Sequence, residues 1–140
     1  MREQRGYTLV EIMTVVAIVA ILSSVALPSY SEYVRRGQRL AARAVMLEAA
    51  NWMERRFSVH HSYRGNDMQI PVLPDGLNRS PRSGAAKYVI SLSAGKTQAT
   101  AYQLRAVPSV ADKCGTFTLD HTGARGLIDN TASLKECWGR

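Results

Sequence analysis

The chain has 140 residues and a formal net charge of +7, from 18 Lys and Arg against 11 Asp and Glu. That length holds one domain and an appendage but not two domains. After residue 27 lie 16 of the basic and 9 of the acidic residues, so the whole excess sits outside the apolar start of the chain. A basic surface of this kind suits a polyanion such as nucleic acid, lipopolysaccharide or an acidic cell surface, and it equally serves solubility.

Residues 1–6 are polar, net positive and end in Gly6. Residues 7–27 then form a run of 21 with one charge, Glu11. About 20 apolar residues suffice for a helix to span a bilayer, and a basic cytoplasmic flank points the C-terminus outward. A carboxylate inside such a run is costly, about 2.5–3.5 kcal/mol at a helix centre and less near an end, so it marks a function with a partner. Three readings compete. One is a cleaved secretory signal with Ser24-Val25-Ala26 as its small-residue site, and a second is a plain membrane anchor. The third rests on Gly6-Tyr7-Thr8-Leu9-Val10-Glu11, which resembles the type IV prepilin signature: a short basic leader ending in glycine, an aromatic first mature residue and a glutamate at the fifth mature position. The usual first residue is phenylalanine; Tyr7 keeps the aromatic body and adds a hydroxyl.

Pro28 follows the apolar run, where it removes one helical hydrogen bond and either ends or kinks the helix. Helix-forming composition resumes at once, which favours a kink. From Tyr30 to Phe57, Tyr33, Val34, Gly37, Leu40, Ala41, Ala44, Leu47 and Asn51 recur at spacings of three and four. Arg35, Arg36, Arg39, Arg43, Arg55 and Arg56 fill the rest. That spacing predicts an amphipathic helix, apolar on one face and basic on the other. Taken as continuous from Thr8 to Phe57, it would be about 75 Å long.

Residues 58–86 read as a long irregular connection, punctuated by His60-His61, Gly65-Asn66, Pro71, Pro74-Asp75-Gly76, Pro81 and Ser83-Gly84, with one short strand or turn around Met68 to Leu73. Three strands follow by alternation: Tyr88, Ile90 and Leu92; Tyr102, Leu104 and Ala106; Phe117 and Leu119. Ala94-Gly95-Lys96 is the expected hairpin turn between the first two. His121-Thr122-Gly123-Ala124 is expected to lead into a short fourth strand at Arg125 to Ile128. The expected fold class is α+β, with a long N-terminal helix packed on a small antiparallel sheet.

Cys114 and Cys137 are the two cysteines, and an exported head makes a single disulfide between them the natural reading. The closed loop would hold 24 residues, for which the chain-entropy estimate is roughly 3–3.5 kcal/mol. A small head needs such support.

The order of these pieces resembles the type IV pilin fold: leader (1–6), apolar half of the helix (7–27), amphipathic half (28–57), αβ loop (58–86), and sheet with a disulfide-bounded region (87–140). The tail, Cys114-Gly115-Thr116-Phe117-Thr118-Leu119 through Gly123 to Cys137-Trp138, is similar to PilE-like minor pilins, a group that includes DNA-receptor pilins of the ComP type. The resemblance implies a prepilin peptidase cutting between Gly6 and Tyr7, N-methylation of Tyr7, and a kink at Pro28. It also implies that Glu11 pairs with the N-terminus of a neighbouring subunit. Implied partners are other pilins in a helical filament and the inner-membrane assembly machinery. Implied localisation is the inner membrane, then the extracellular pilus. Pilus assembly would be the function, with roles open among twitching motility, adhesion and DNA uptake.

Catalysis and cofactors are not expected. His60, His61 and His121 have no acidic or cysteine partner at ligand spacing, so no metal is expected. Phosphate-cradling glycine loops and nucleophile elbows are missing from the sequence, and Asn78-Arg79-Ser80 fits a glycosylation sequon only as a three-residue match. For DNA, Lys and Arg would take phosphates and exposed aromatics would stack on bases. Candidates are Arg64, Arg79, Arg82, Lys87, Lys96, Arg105, Lys113, Arg125 and Lys135, with Tyr63 and Trp138 as aromatics, although Trp138 beside a disulfide is expected to pack over it. ComP-type receptors carry an additional disulfide that two cysteines cannot supply, which argues against sequence-specific recognition and leaves a DNA-receptor pilin for natural transformation as an alternative. A type II secretion pseudopilin is a second alternative. Major pseudopilins lack the disulfide and carry a calcium site, and acids near this tail are sparse.

Overall fold

The computed structural model describes residues 6–65 and 68–139. Residues 1–5 of the expected leader, and Asn66 of the expected Gly65-Asn66 turn, lie outside them. Two compact units divide the chain, Met1–Arg36 and Gly37–Arg140.

Helix α1 (Leu9–His60) begins where Thr8 supplies a cap. The Thr8 hydroxyl accepts from the Glu11 amide at 3.3 Å, and the Thr8 carbonyl accepts the first helical bond from Ile12. Such a cap satisfies amides that otherwise lack partners. The helix ends three residues later than Phe57. His61 takes a left-handed conformation (φ 51°) while its amide still reaches the Phe57 carbonyl, a common way to close a helix.

In the first unit, an 18-residue window of α1 has a mean hydropathy of 2.4 and is not buried by the chain itself. The hydroxyls of Thr14, Ser24 and Ser31 donate back to the carbonyls of Glu11, Ile21 and Pro28. Polar groups satisfied within the helix are compatible with an apolar surround. Pro28 lies inside α1, and the helix continues through it.

The second unit sets five antiparallel strands beside the rest of α1: β1 (Arg79–Ser80), β2 (Tyr88–Leu92), β3 (Gln103–Pro108), β4 (Thr116–Asp120) and β5 (Arg125–Ile128), paired in that order. Register aligns Ile90 with Ala106, Ala106 with Phe117, and Phe117 with Leu127. With a period of two, Tyr88, Ile90, Leu104, Phe117 and Leu119 share one face. They form the core with Ala42, Val45, Met46, Ala49 and Met53 of α1. A short helix α2 (Leu134–Trp138) closes the chain, its first turn capped by the Ser133 hydroxyl on the Glu136 amide at 3.2 Å.

Three expectations are corrected. The buried face of α1 is not the stripe through Leu40, Ala41, Ala44, Leu47 and Asn51, which is exposed; it runs through Arg39, Ala42, Val45, Met46, Ala49 and Met53. Both faces are rich in alanine and aliphatics, so periodicity alone leaves two solutions, and the buried one contains an arginine. The strand inside the long connection is at Arg79–Ser80, whereas the Met68 amide donates to the Gly65 carbonyl and the Gly65 amide to the Gln69 carbonyl. Finally, β2 and β3 are not joined by a tight hairpin. Ala94–Lys96 is a 3-10 turn inside a longer connection, held because Thr97 is fully buried and its hydroxyl donates to the Ser93 carbonyl at 2.8 Å.

Candidate assembly segment and head surface

Glu11 occupies the first turn of α1, three residues after the cap Thr8. Thr8 and Glu11 thus hold the two positions of a capping box, and the helix dipole favours a carboxylate there. The sequence carries the signal in Thr8-Leu9-Val10-Glu11, although the expectation above gave Glu11 only its assembly role. Tyr7 is 80% exposed, as are the flanking apolar side chains in large part, so nothing among the described residues covers this end.

Among the described residues, a buried ion pair ties the head to α1. Arg39 donates from Nε to Asp112 Oδ1 (3.0 Å) and from Nη2 to Oδ2 (2.7 Å), and the two side chains are 5% and 8% exposed. Asp112 Oδ1 also accepts from the Cys114 amide at 2.9 Å, so the guanidinium, carboxylate and disulfide region are locked together. Planar bidentate pairing of this kind is specific to arginine. By its spacing in the sequence, Arg39 belongs to a solvated basic face. It is instead 4% exposed, and an acid 73 positions later makes that tolerable.

Cys114 and Cys137 form a disulfide with an S–S distance of 2.05 Å. Next to it, Gly115 has φ +58°, and a Cβ there would lie 2.2 Å from the Ile128 carbonyl oxygen; only glycine fits. Trp138 is 5% exposed. Its Nε1 donates to the Gly126 carbonyl at 3.0 Å, its ring meets Phe117 edge-on at 5.4 Å, and Arg125 lies over it.

Tyr63, an expected stacking surface, is instead buried. It stacks on Phe57 at 4.5 Å and meets Tyr102 edge-on at 4.7 Å. Both tyrosine hydroxyls donate to the Glu54 carboxylate. Burial, then the Glu54 hydrogen bond and charge, pushes the Tyr63 phenol up to about 12. Burial and then Glu54 push Tyr102 up as well. At the β4–β5 turn, the Thr122 hydroxyl and the Thr122 and Ala124 amides hold Asp120 below the usual carboxylate range.

Of the nine expected phosphate-binding cations, Arg79 donates from Nη2 to the Gly84 carbonyl at 3.1 Å and Arg125 lies over the Trp138 ring, while the other seven divide into two groups. Arg82 pairs with Glu48, Lys113 with Glu136, and Arg64 donates twice to the Thr97 carbonyl. Those three serve the fold. Lys87, Lys96 and Lys135 are exposed and Arg105 half-buried, with no carboxylate against them among the described residues. Arg105 lies on the sheet face away from the core, between Ser91 and Thr118. His60, His61 and His121 are exposed, and no group of three possible metal ligands occurs among the described residues.

Two family models match the chain. Residues 1–27 match the prokaryotic N-terminal methylation motif, and residues 28–118 match the type IV minor pilin ComP, DNA uptake sequence receptor. The type IV major pilin protein PilE1 of Neisseria gonorrhoeae is 33% identical over 98 residues, covering 70% of this chain and 43% of that protein. Fimbrial protein EcpC of Eikenella corrodens is 54% identical over 35 residues, 25% of this chain and 23% of EcpC. The chain thus matches less than half the length of these curated relatives. The non-core minor pilin PilV of Neisseria meningitidis superposes with a TM-score of 0.52 at 19% identity, over 72% of this chain and 93% of PilV, which places the fold among pilins. With the methylation motif, the exposed apolar helix and a ComP match across most of the remainder, the chain belongs to the ComP family of type IV minor pilins.

Proposed function

We propose that the chain is a minor pilin, a structural subunit that enters a type IV pilus from the inner membrane and ends in the extracellular filament. The observation that carries this is the apolar half of α1, exposed along its length with one acid in its first turn. Such a surface is stable only in lipid or against other apolar helices. In this reading prepilin peptidase cuts between Gly6 and Tyr7, and Tyr7 is then N-methylated. Glu11 pairs with the charged N-terminus of a neighbouring pilin, since a carboxylate that is costly alone becomes tolerable once paired. Pro28 kinks the helix, and the assembly machinery draws the subunit from the membrane. Mass spectrometry of sheared filaments tests this. The expected result is the chain beginning at N-methylated Tyr7, present below the level of the major subunit. Finding it only in the membrane fraction with its leader attached would contradict the proposal.

A second reading, that the head contacts DNA during uptake, is favoured by the ComP match over residues 28–118. Lys87, Lys96, Lys135 and Arg105, which face no carboxylate among the described residues, could take phosphates. A gel shift with the full chain in neutral detergent at low ionic strength tests it, because the electrostatic contribution is largest there. A shift that fades as salt rises supports DNA contact; no shift at low salt removes it.

A further inference from the structure

Arg43 and Arg125 line a groove of about 360 Å³ whose other walls are Leu40, Ala44, Leu47 and Trp138. The apolar wall is open to solvent: Leu40 is 60% and Leu47 47% exposed. Arg43 donates from Nη1 to the Trp138 carbonyl, while its Nε is buried with no acceptor. Arg125 is exposed, with its guanidinium 5.3 Å from the centre of the Trp138 ring. Neither pairs with a carboxylate among the described residues. Burial first, and then the charge of Arg125, holds Arg43 below its ordinary value. Two like charges face one groove, and a buried N–H there lacks its acceptor.

We propose that this groove binds a phosphate-bearing amphiphile, its phosphate held between Arg43 and Arg125 and its hydrocarbon laid on Leu40, Ala44 and Leu47. A phosphate offers several acceptor oxygens and up to two charges, so it answers two guanidinium forks at once; a carboxylate matches one fork and leaves the other cation uncompensated. The volume is in the range of small-molecule sites and far exceeds a bare phosphate. The exposed aliphatic wall supplies what a hydrocarbon needs and what a sugar-phosphate backbone does not use. Nucleic acid also seeks an open aromatic face, and Trp138, 5% exposed, offers none. Phospholipids and phosphorylated glycolipids share the required chemistry. The site is independent of whether the finished filament contacts DNA.

The test uses the full chain in a neutral amphipol, titrated with dihexanoyl phosphatidic acid and followed by the NMR signals of the arginine Nε–H groups. The expected result is a saturable shift of the Arg43 and Arg125 signals. Charge-assisted hydrogen bonds of this kind predict that Arg125→Gln, an exposed change, weakens binding about tenfold or more. Arg43→Lys, which keeps the charge, should retain part of it. Leu40→Ser with Leu47→Ser, also on exposed positions, should weaken the amphiphile while leaving the response to inorganic phosphate unchanged. Equal affinity for inorganic phosphate would reduce the groove to an ion site and overturn the proposal. Equal affinity for neutral dihexanoylglycerol, or indifference to Arg125→Gln, would overturn it too. Tighter binding of an oligonucleotide at the same two signals would assign the groove to nucleic acid instead.

Discussion

Replacing Arg39 with Met strips the Asp112 carboxylate of both of its guanidinium bonds in a site where the two side chains are 5% and 8% exposed. Breaking one side of a buried pair leaves an uncompensated charge and costs about 3–5 kcal/mol. The Cys114 amide still donates to Oδ1, which places the expected loss near the lower end, about 3 kcal/mol. For a domain of this size that corresponds to at least about 12 °C in Tm. Removing both partners, as Arg39→Met with Asp112→Leu, eliminates the stranded charge and should recover much of the loss, since apolar replacements of buried pairs are often neutral. Near-UV circular dichroism melts of the full chain in neutral detergent measure all three proteins. A double variant as unstable as Arg39→Met alone, or a single variant within about 0.5 kcal/mol of the parent, would refute the claim that this pair is desolvated and bidentate.

Gly115→Ala combines a left-handed φ with a Cβ 2.2 Å from the Ile128 carbonyl oxygen, so a loss of at least about 2 kcal/mol is expected; Gly95→Ala, with open space around it, should stay within about 0.5 kcal/mol, and equal melts for the two would contradict the geometry. Tyr63 and Tyr102 hold their protons more tightly in the fold than unfolded, so their contribution is present below the ordinary tyrosine value near 10 and is lost as pH rises through about 12 for Tyr63. Absorbance at 295 nm should show two tyrosines ionising late together with unfolding, and ionisation of every tyrosine by about pH 10.5 with the fold intact would contradict this. Asp120 is the opposite case, a carboxyl depressed in the fold, so its contribution is present above its unfolded value and lost as pH falls through the folded one. Asp120→Asn should therefore be less stable than the parent at pH 7, with the gap closing in acid; a gap that is unchanged at about pH 2 would reject the hydrogen-bonded turn.

Three strands of the sheet are legible in the sequence because their apolar residues alternate toward one face: Tyr88, Ile90, Leu104, Ala106, Phe117 and Leu119 belong to the core. Turn residues also marked β5, whose bounds match the expected Arg125 to Ile128. The face that α1 buries was not legible. Leu40 and Leu47 look like core residues and stand in solvent, while Arg39 looks like surface and lies in the interior. What makes the buried arginine tolerable is Asp112, far along the chain, and no local pattern carries that information. Tyr63 was misjudged for a similar reason: its partners Glu54 and Tyr102 come from opposite sides of a long connection. The two-residue β1 is too short to show any periodicity, and the capping role of Glu11 was hidden by its more conspicuous position in an apolar run. At the N-terminus the reverse holds, for Gly6 to Glu11 is a local pattern and its physical signal, one acid in a long apolar segment, needs no tertiary context.

The central claim is that this segment is retained for assembly and that Glu11 is the residue assembly requires. The direct measurement is the amount of Glu11→Ala subunit recovered in sheared filaments, set beside its leader removal in the membrane fraction and against the parent chain. The account predicts largely normal cleavage after Gly6 with the variant excluded from filaments. Recovery of the processed variant in filaments at the parent level would contradict it.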